Sequence, residues 1–286
     1  MKKIAIIGAG NMGGAVARGL VQASACMPEE IVCTAKSDAT LNRMKEWNAC
    51  IGVTKDNCEA VRDADMVVLA VKPWFIGEVI EEIRSSLDLS RQMVASVAAG
   101  ITLNDLVHFL VPHYDEYERE RWIARAEERL PEFPDTFHEP VVFRVVPNTA
   151  VEVLSGVTFI AQKGASDEQV AFVSQLFEAL GFAMVVEEKL IPAGTSLASC
   201  GIAFAMRYIR AAMEGGVELG FRPAEAARIV EHTVKGAAAL LLSNGAHPEA
   251  EIDKVTTAGG ITIKGLNAME KAGFTAAVID GLKASM

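Results

Sequence analysis

The chain has 286 residues, 51% of them apolar and 22% charged, enough for about two domains with sizeable cores. Its 27 basic and 37 acidic residues leave a net charge of −10, which argues against nucleic acid as a partner. Five scattered cysteines (Cys26, Cys33, Cys50, Cys58 and Cys200) lack metal-ligand spacing, so reduced thiols, a cytoplasmic setting and no bound metal are expected. Lys2-Lys3 and the short apolar run after them resemble a signal peptide only superficially, because no small-residue cleavage site follows. No apolar run reaches the roughly 20 residues that a bilayer span needs, so no membrane association is expected.

The N-terminal elements are the most informative. Ile4-Ala5-Ile6-Ile7 reads as a buried parallel strand. It runs into Gly8-Ala9-Gly10-Asn11-Met12-Gly13, whose glycines match the dinucleotide-binding fingerprint. The first glycine permits the tight turn, the second lets a pyrophosphate approach the backbone, and the third packs helix on strand. The helix after it, apolar at Val16, Leu20 and Val21, offers free N–H groups to phosphates. A second strand is expected at 30–34. In an NAD enzyme an acid about 20 positions past the glycines binds the ribose 2′-hydroxyl. Here Ala35-Lys36-Ser37 stands there instead, and a lysine beside a hydroxyl suits a 2′-phosphate, so NADP(H) is expected over NAD(H).

Strand and helix signals then alternate. Helices are expected at 39–47, 57–62 and 75–85, and strands at 50–53, 66–71 and 93–97. This rhythm predicts a doubly wound α/β sheet of parallel strands, with ligands beyond the strand C-termini, where Gly8, Ala70-Val71-Lys72-Pro73 and Ala98-Ala99-Gly100 fall. Residues 112–140 interrupt it with Glu, Arg and the aromatics Tyr114, Tyr117 and Trp122. Glu118 with Arg121 and Trp122, and Arg125 with Arg129, fit a solvated helix with charge pairs at three- and four-residue spacing. A surface insertion is the expectation, with a lid or partner-binding arm as the alternative. Strands at 141–145, 157–161 and 183–186 and a helix at 167–180 complete the sheet.

Beyond about 188 the patterns are helical: 196–219, a helix opened by Pro223 and closed at Asn244-Gly245, then 262–271 and 275–284. The chain therefore divides into a dinucleotide-binding domain, 1–187, and an all-helical domain, 188–286. The latter's Ala237-Ala238-Ala239 and Leu240-Leu241-Leu242 suit close packing between subunits or within one bundle. Between its last helices lies Thr256-Thr257-Ala258-Gly259-Gly260-Ile261-Thr262, a segment that can present N–H groups to a carboxylate or simply cap a helix.

Together these motifs resemble the 1-pyrroline-5-carboxylate reductase family, which makes proline from its cyclic imine. The likeness covers nearly the whole chain. It rests on the glycine turn, Ala70-Val71-Lys72-Pro73, Ser96-Val97-Ala98-Ala99-Gly100, Val146-Pro147-Asn148-Thr149, Gly215-Gly216-Val217, the Thr257 to Thr262 segment with Gly265, and Gly273-Phe274. The resemblance implies a Rossmann domain followed by a helical dimerisation domain, with the active site between them and a homodimer or ring of dimers as the assembly. It also implies that Ile7, Gly8, Ala9, Gly10, Asn11, Met12, Gly13, Ala70, Val71, Lys72 and Pro73 line the cofactor. Lys36, Ser37 and Asn57 would sit near its adenosine ribose and Ala98, Ala99 and Gly100 near the nicotinamide. Thr257, Gly259, Gly260, Ile261 and Thr262 would bind substrate, the last two holding the carboxylate by their N–H groups. Thr262 would also hydrogen-bond the imine nitrogen.

Some positions depart from the family pattern. Ser199-Cys200-Gly201-Ile202-Ala203-Phe204 stands where Gly-Ser-Gly-Pro-Ala-Tyr is usual, Ala258 replaces a proline, Ile261 replaces threonine or alanine, and the segment 112–140 is not typical. A reductase of another cyclic imine or keto acid, or a catalytically silent NADP-binding regulatory protein, are the alternatives. Reduction of a protonated imine needs little acid–base machinery. His108, His113, His138, His232 and His247 are dispersed, and read as ordinary surface or helix residues.

Overall fold

The computed structural model describes residues 2–134 and 137–286. Strand β1 (Ile4–Ile7) is buried at every position. Helix α1 (Asn11–Gln22) and strand β2 (Ile31–Thr34) follow, then α2 (Asp38–Trp47), β3 (Gly52–Thr54), α3 (Asn57–Arg62) and β4 (Met66–Leu69). Helix α4 (Ile76–Ile83), β5 (Met93–Ser96), α5 (Leu103–Leu110) and α6 (Tyr114–Ala126) lead to β6 (Val141–Pro147), β7 (Gly156–Lys163), α7 (Asp167–Glu178) and β8 (Gly181–Val185). Short polar side chains start several of these helices: the Ser37 and Asp56 oxygens accept from the Thr40 and Glu59 N–H groups, and Thr102 and Ser166 open capping boxes.

Among the described residues one eight-stranded sheet forms, in the order β3-β2-β1-β4-β5-β6-β7-β8. Alternate residues of β1 serve opposite faces, Ile4 and Ile6 entering one apolar core and Ala5 and Ile7 the other. Both faces are thus covered, as a doubly wound fold requires. The expectation of parallel strands needs one correction. Strands β3 to β6 are parallel, but β7 runs antiparallel to β6 before β8 pairs parallel with β7. Residues 148–155 are too few for the dozen-residue crossover that a parallel return demands, so the chain doubles back as a hairpin.

Helix α5 lies outside the elements read from the sequence. Helix α6 forms where expected, yet its charges are spent differently from the expected pairing along the helix. Arg121 pairs with Glu139, Lys163 Nζ lies 3.2 Å from Glu118, and Arg129 Nη1 lies 2.7 Å from Glu120. Tyr114 is fully buried and donates to Glu139 at 2.5 Å, while Tyr117 stacks on Phe137. Glu139 lies two residues before β6 and Lys163 ends β7, so these ties lie at the amino-terminal edge of the parallel strands. The glycine turn lies at the other edge, a placement that does not suit a lid over it.

The chain falls into two compact units, Met1–Thr195 and Ser196–Met286, against an expected boundary at 187/188. After α8 (Ile191–Gly194) and a wide turn at Thr195–Cys200, the second unit contains α9 (Gly201–Glu218), α10 (Pro223–Asn244), α11 (Pro248–Lys254), α12 (Ile261–Lys271) and α13 (Phe274–Ala284). Helix α11 is a further addition to the expected elements. The unit's start is pinned to α13 by Ser196, whose Oγ donates to the Leu282 carbonyl at 2.7 Å. Its apolar side chains are largely uncovered: Leu197, Phe204, Met206, Leu240, Phe274 and Val278 are all exposed, and a groove of about 790 Å³ runs between α9 and α13. The continuous helical stretch Glu188–Glu218 is long and apolar enough to cross a membrane by length and composition alone, although Arg207 and Arg210 interrupt its apolar run.

Candidate active site

The glycine turn is held by the next strand. The Gly8 and Ala9 N–H groups donate to the Thr34 carbonyl at 3.1 and 2.7 Å, and Gly8 N–H also reaches Thr34 Oγ1 at 3.3 Å. Gly8 adopts φ +99°, and a Cβ there would lie 2.8 Å from Val71 Cγ1. A Cβ on Gly13 would lie 2.2 Å from the Gly8 carbonyl oxygen. These two glycines are required by the protein's own packing. Gly10 differs, because a Cβ there would meet nothing within 4 Å. Gly10 is the N-cap of α1, provides no side-chain cap, and no acidic residue stands in the helix's first turn. The result is an uncapped helix N-terminus with an open approach, which fits the pyrophosphate of a dinucleotide.

The other cofactor candidates gather along the same carboxyl edge. Ala70 N–H donates to the Ile7 carbonyl at 2.8 Å, and Val97 N–H to the Leu69 carbonyl at 3.0 Å, so the segment after β4 lies beside the glycine turn and the segment after β5 lies beside that one. Ala98 is buried and donates its N–H to Ser96 Oγ at 3.2 Å, while Ala99 and Gly100 are exposed. Gly100 takes φ +82° with open space where a side chain would go. Lys36 and Ser37 follow β2 at this edge. The Lys36 ammonium lies 4.6 Å from the centroid of the Phe75 ring and pairs with no carboxylate among the described residues. Asn57 donates its amide to Glu82 Oε2 at 3.0 Å.

In the helical unit the candidate substrate segment is a tight turn. Gly260 N–H donates to the Thr257 carbonyl at 2.9 Å, Gly259 takes φ +69°, and Gly260 caps α12 with no side chain of its own. A Cβ on Gly260 would sit 2.5 Å from Thr257 Oγ1, so glycine is needed there. Ile261 and Thr262 occupy the first two positions of α12, with Ile261 87% exposed. Thr262 is exposed, is not the N-cap, and makes no side-chain hydrogen bond among the described residues. The capping role open in the sequence therefore falls to Gly260. A hydroxyl beside free first-turn N–H groups is a suitable receptor for a small anion with a hydrogen-bonding nitrogen.

Nucleophilic chemistry has no support in the buried thiols. Burial pushes Cys33 up to about 12 and Cys26 up to about 11, leaving both protonated and inert. No cluster of three metal-ligating side chains occurs among the described residues.

Comparison with known proteins agrees across both units. Residues 188–286 match the family described as pyrroline-5-carboxylate reductase dimerisation, and residues 3–100 match the family described as NADP oxidoreductase, coenzyme F420-dependent. Pyrroline-5-carboxylate reductase 2 of Dictyostelium discoideum is 33% identical, covering 98% of this chain and 90% of that protein. The chain belongs to the pyrroline-5-carboxylate reductase family. The reductase 1 of the same organism is 35% identical across 99% of this chain, which spans only 48% of that longer protein. The structure of a pyrroline-5-carboxylate reductase from Coxiella burnetii superimposes with a TM-score of 0.84 at 26% identity, covering 99% of this chain and 96% of that one.

Proposed function

We propose that this pyrroline-5-carboxylate reductase family member reduces 1-pyrroline-5-carboxylate to L-proline, with NADPH as the preferred reductant. The observation that carries the reading is family likeness across both units, joined to a Gly10 cradle that fits a dinucleotide. NADPH supplies a hydride for the imine carbon. Asn11, Met12 and Gly13 offer N–H groups to its pyrophosphate, and Lys36 with Ser37 meets the 2′-phosphate. Gly259 and Gly260 shape the turn, the Ile261 and Thr262 N–H groups hold the substrate carboxylate, and the Thr262 hydroxyl orients the ring nitrogen. The nitrogen is already protonated, so no side chain needs to donate a proton to it, and positioning supplies several kcal/mol. The helical unit assembles with a second copy, for which its uncovered apolar side chains are the physical motive.

The test is turnover of the cyclic imine, measured as NADPH and NADH oxidation by the wild type and by Lys36→Ala. The expected result is a higher kcat/KM with NADPH, lost in the variant. Preference for NADH, unchanged by the substitution, removes the ribose assignment. Cofactor binding without turnover on a panel of imines and keto acids favours a regulatory role. Cys200, Ile202, Ala258 and Ile261, the departures on the proposed substrate side, make that panel necessary.

A further inference from the structure

Lys36 has two features that the cofactor reading does not use. Its ammonium lies over an aromatic ring, and that ring packs against an apolar core. The half-buried Phe75 ring packs against the apolar core that includes Ala5, Ile7, Val61 and Ile76, and the Lys36 ammonium lies 4.6 Å from its centroid. A cation within about 6 Å of a ring centroid is attracted by the ring quadrupole without its charge being neutralised. The acid two positions beyond, Asp38, is occupied elsewhere, its carboxylate lying 2.8 Å from Lys55 Nζ. A freely rotating lysine samples many rotamers and loses that freedom on binding an anion. A carboxylate partner would restrain it too, but would compete with an incoming phosphate.

We propose that Phe75 is a positioning residue for the adenosine 2′-phosphate: it holds the Lys36 ammonium at the carboxyl edge beside the end of β2, ordered but still electrically available. The proposal rests on the assignment of Lys36 to the 2′-phosphate. It makes cofactor preference depend on a residue from a different strand connection, following β4 rather than β2, that touches no part of the phosphate itself.

The experiment is calorimetric binding of 2′,5′-ADP and of 5′-ADP to the full chain, for wild type, Phe75→Leu, Phe75→Tyr, Lys36→Ala and the Lys36→Ala/Phe75→Leu double variant. Phe75→Leu keeps an apolar side chain but removes the quadrupole. It is expected to weaken 2′,5′-ADP by about threefold while leaving 5′-ADP unchanged. Phe75→Tyr restores the affinity, and Phe75→Leu has no effect once Lys36 is alanine. Equal weakening of both nucleotides marks Phe75 as merely structural and overturns the proposal. If Lys36→Ala weakens 2′,5′-ADP and Phe75→Leu does not, the proposal fails while the cofactor reading stands. If Lys36→Ala itself changes neither nucleotide, the assignment of Lys36 fails and the proposal with it.

Discussion

The glycines of one turn are not there for the same reason, and substitution separates Gly13 from Gly10. Gly13→Ala places a Cβ against the Gly8 carbonyl oxygen, and overpacking of this kind costs about 1–3 kcal/mol of stability. Gly10→Ala meets open space in a backbone conformation that alanine adopts freely, so its melting temperature should stay near the wild-type value. Its NADPH affinity should nevertheless fall by about tenfold, since the methyl occupies the pyrophosphate's approach. Titration and thermal melts on both variants check the pair, and a Gly10→Ala protein with unchanged affinity removes the cradle from the argument. At the other end of the chain, Thr262→Ala removes a hydrogen bond proposed to strengthen in the transition state. The loss should be about 1.5–3 kcal/mol in kcat/KM, with Thr262→Ser retaining most of the activity. Because Gly260 rather than Thr262 caps α12, the alanine variant should melt close to wild type.

At the level of elements, α5 and α6 are joined by His108. Its Nδ1 lies 2.7 Å from the Asn104 carbonyl oxygen and its Nε2 lies 2.8 Å from Asp115 Oδ1. Both partners are acceptors, so the doubly protonated ring satisfies both contacts and the charged form is favoured. The Asp115 hydrogen bond, helped by the Asn104 carbonyl, raises its pKa above the usual 6.5. A raised histidine stabilises fully below pH 6.5 and loses that contribution as pH rises through the folded value. An NMR titration of the ring should show a midpoint above 6.5, moving back toward it in Asp115→Asn, and α6 amides should exchange faster at alkaline pH. A wild-type midpoint at or below 6.5 defeats the assignment. Asp105, held low by the Thr102 hydroxyl, has the opposite sign: its contribution is present at neutral pH and lost in acid. Helix α5 also shows what was legible in the sequence. Its apolar spacing at Leu103, Leu106, Val107 and Leu110 and its Thr102–Asp105 box are there to be read, but two turns of helix between a glycine and a charged segment are easily passed over. The long alternating stretch up to β5 was legible because β1, β4 and β5 are buried on both faces, so burial and sequence carry the same signal there. The antiparallel β7, the outward use of the α6 charges, the amide of Asn57 on Glu82 and the ring under Lys36 all depend on residues brought together from distant positions. Local spacing carries none of that information.

For the whole molecule the decisive contrast is between the units. The first has two closed apolar cores, whereas in the second only Ser196 and Ala226 are buried. A bundle with so much uncovered apolar surface should not persist alone. Light scattering at micromolar concentration should therefore give a mass well above 30.6 kDa, and the melting temperature should rise with protein concentration. Val278→Glu, which places a charge in the 790 Å³ groove, should drive the protein toward the single-chain mass. A wild type that is monomeric at these concentrations excludes the second copy. The position of the α6 segment has a practical consequence of its own. Leu130, 85% exposed, follows a helix fastened to Glu139 and Lys163 at the amino-terminal edge, across the sheet from Gly10. A tether attached there would immobilise the enzyme on a solid support by the edge it does not use for the dinucleotide, leaving the glycine turn open to the liquid.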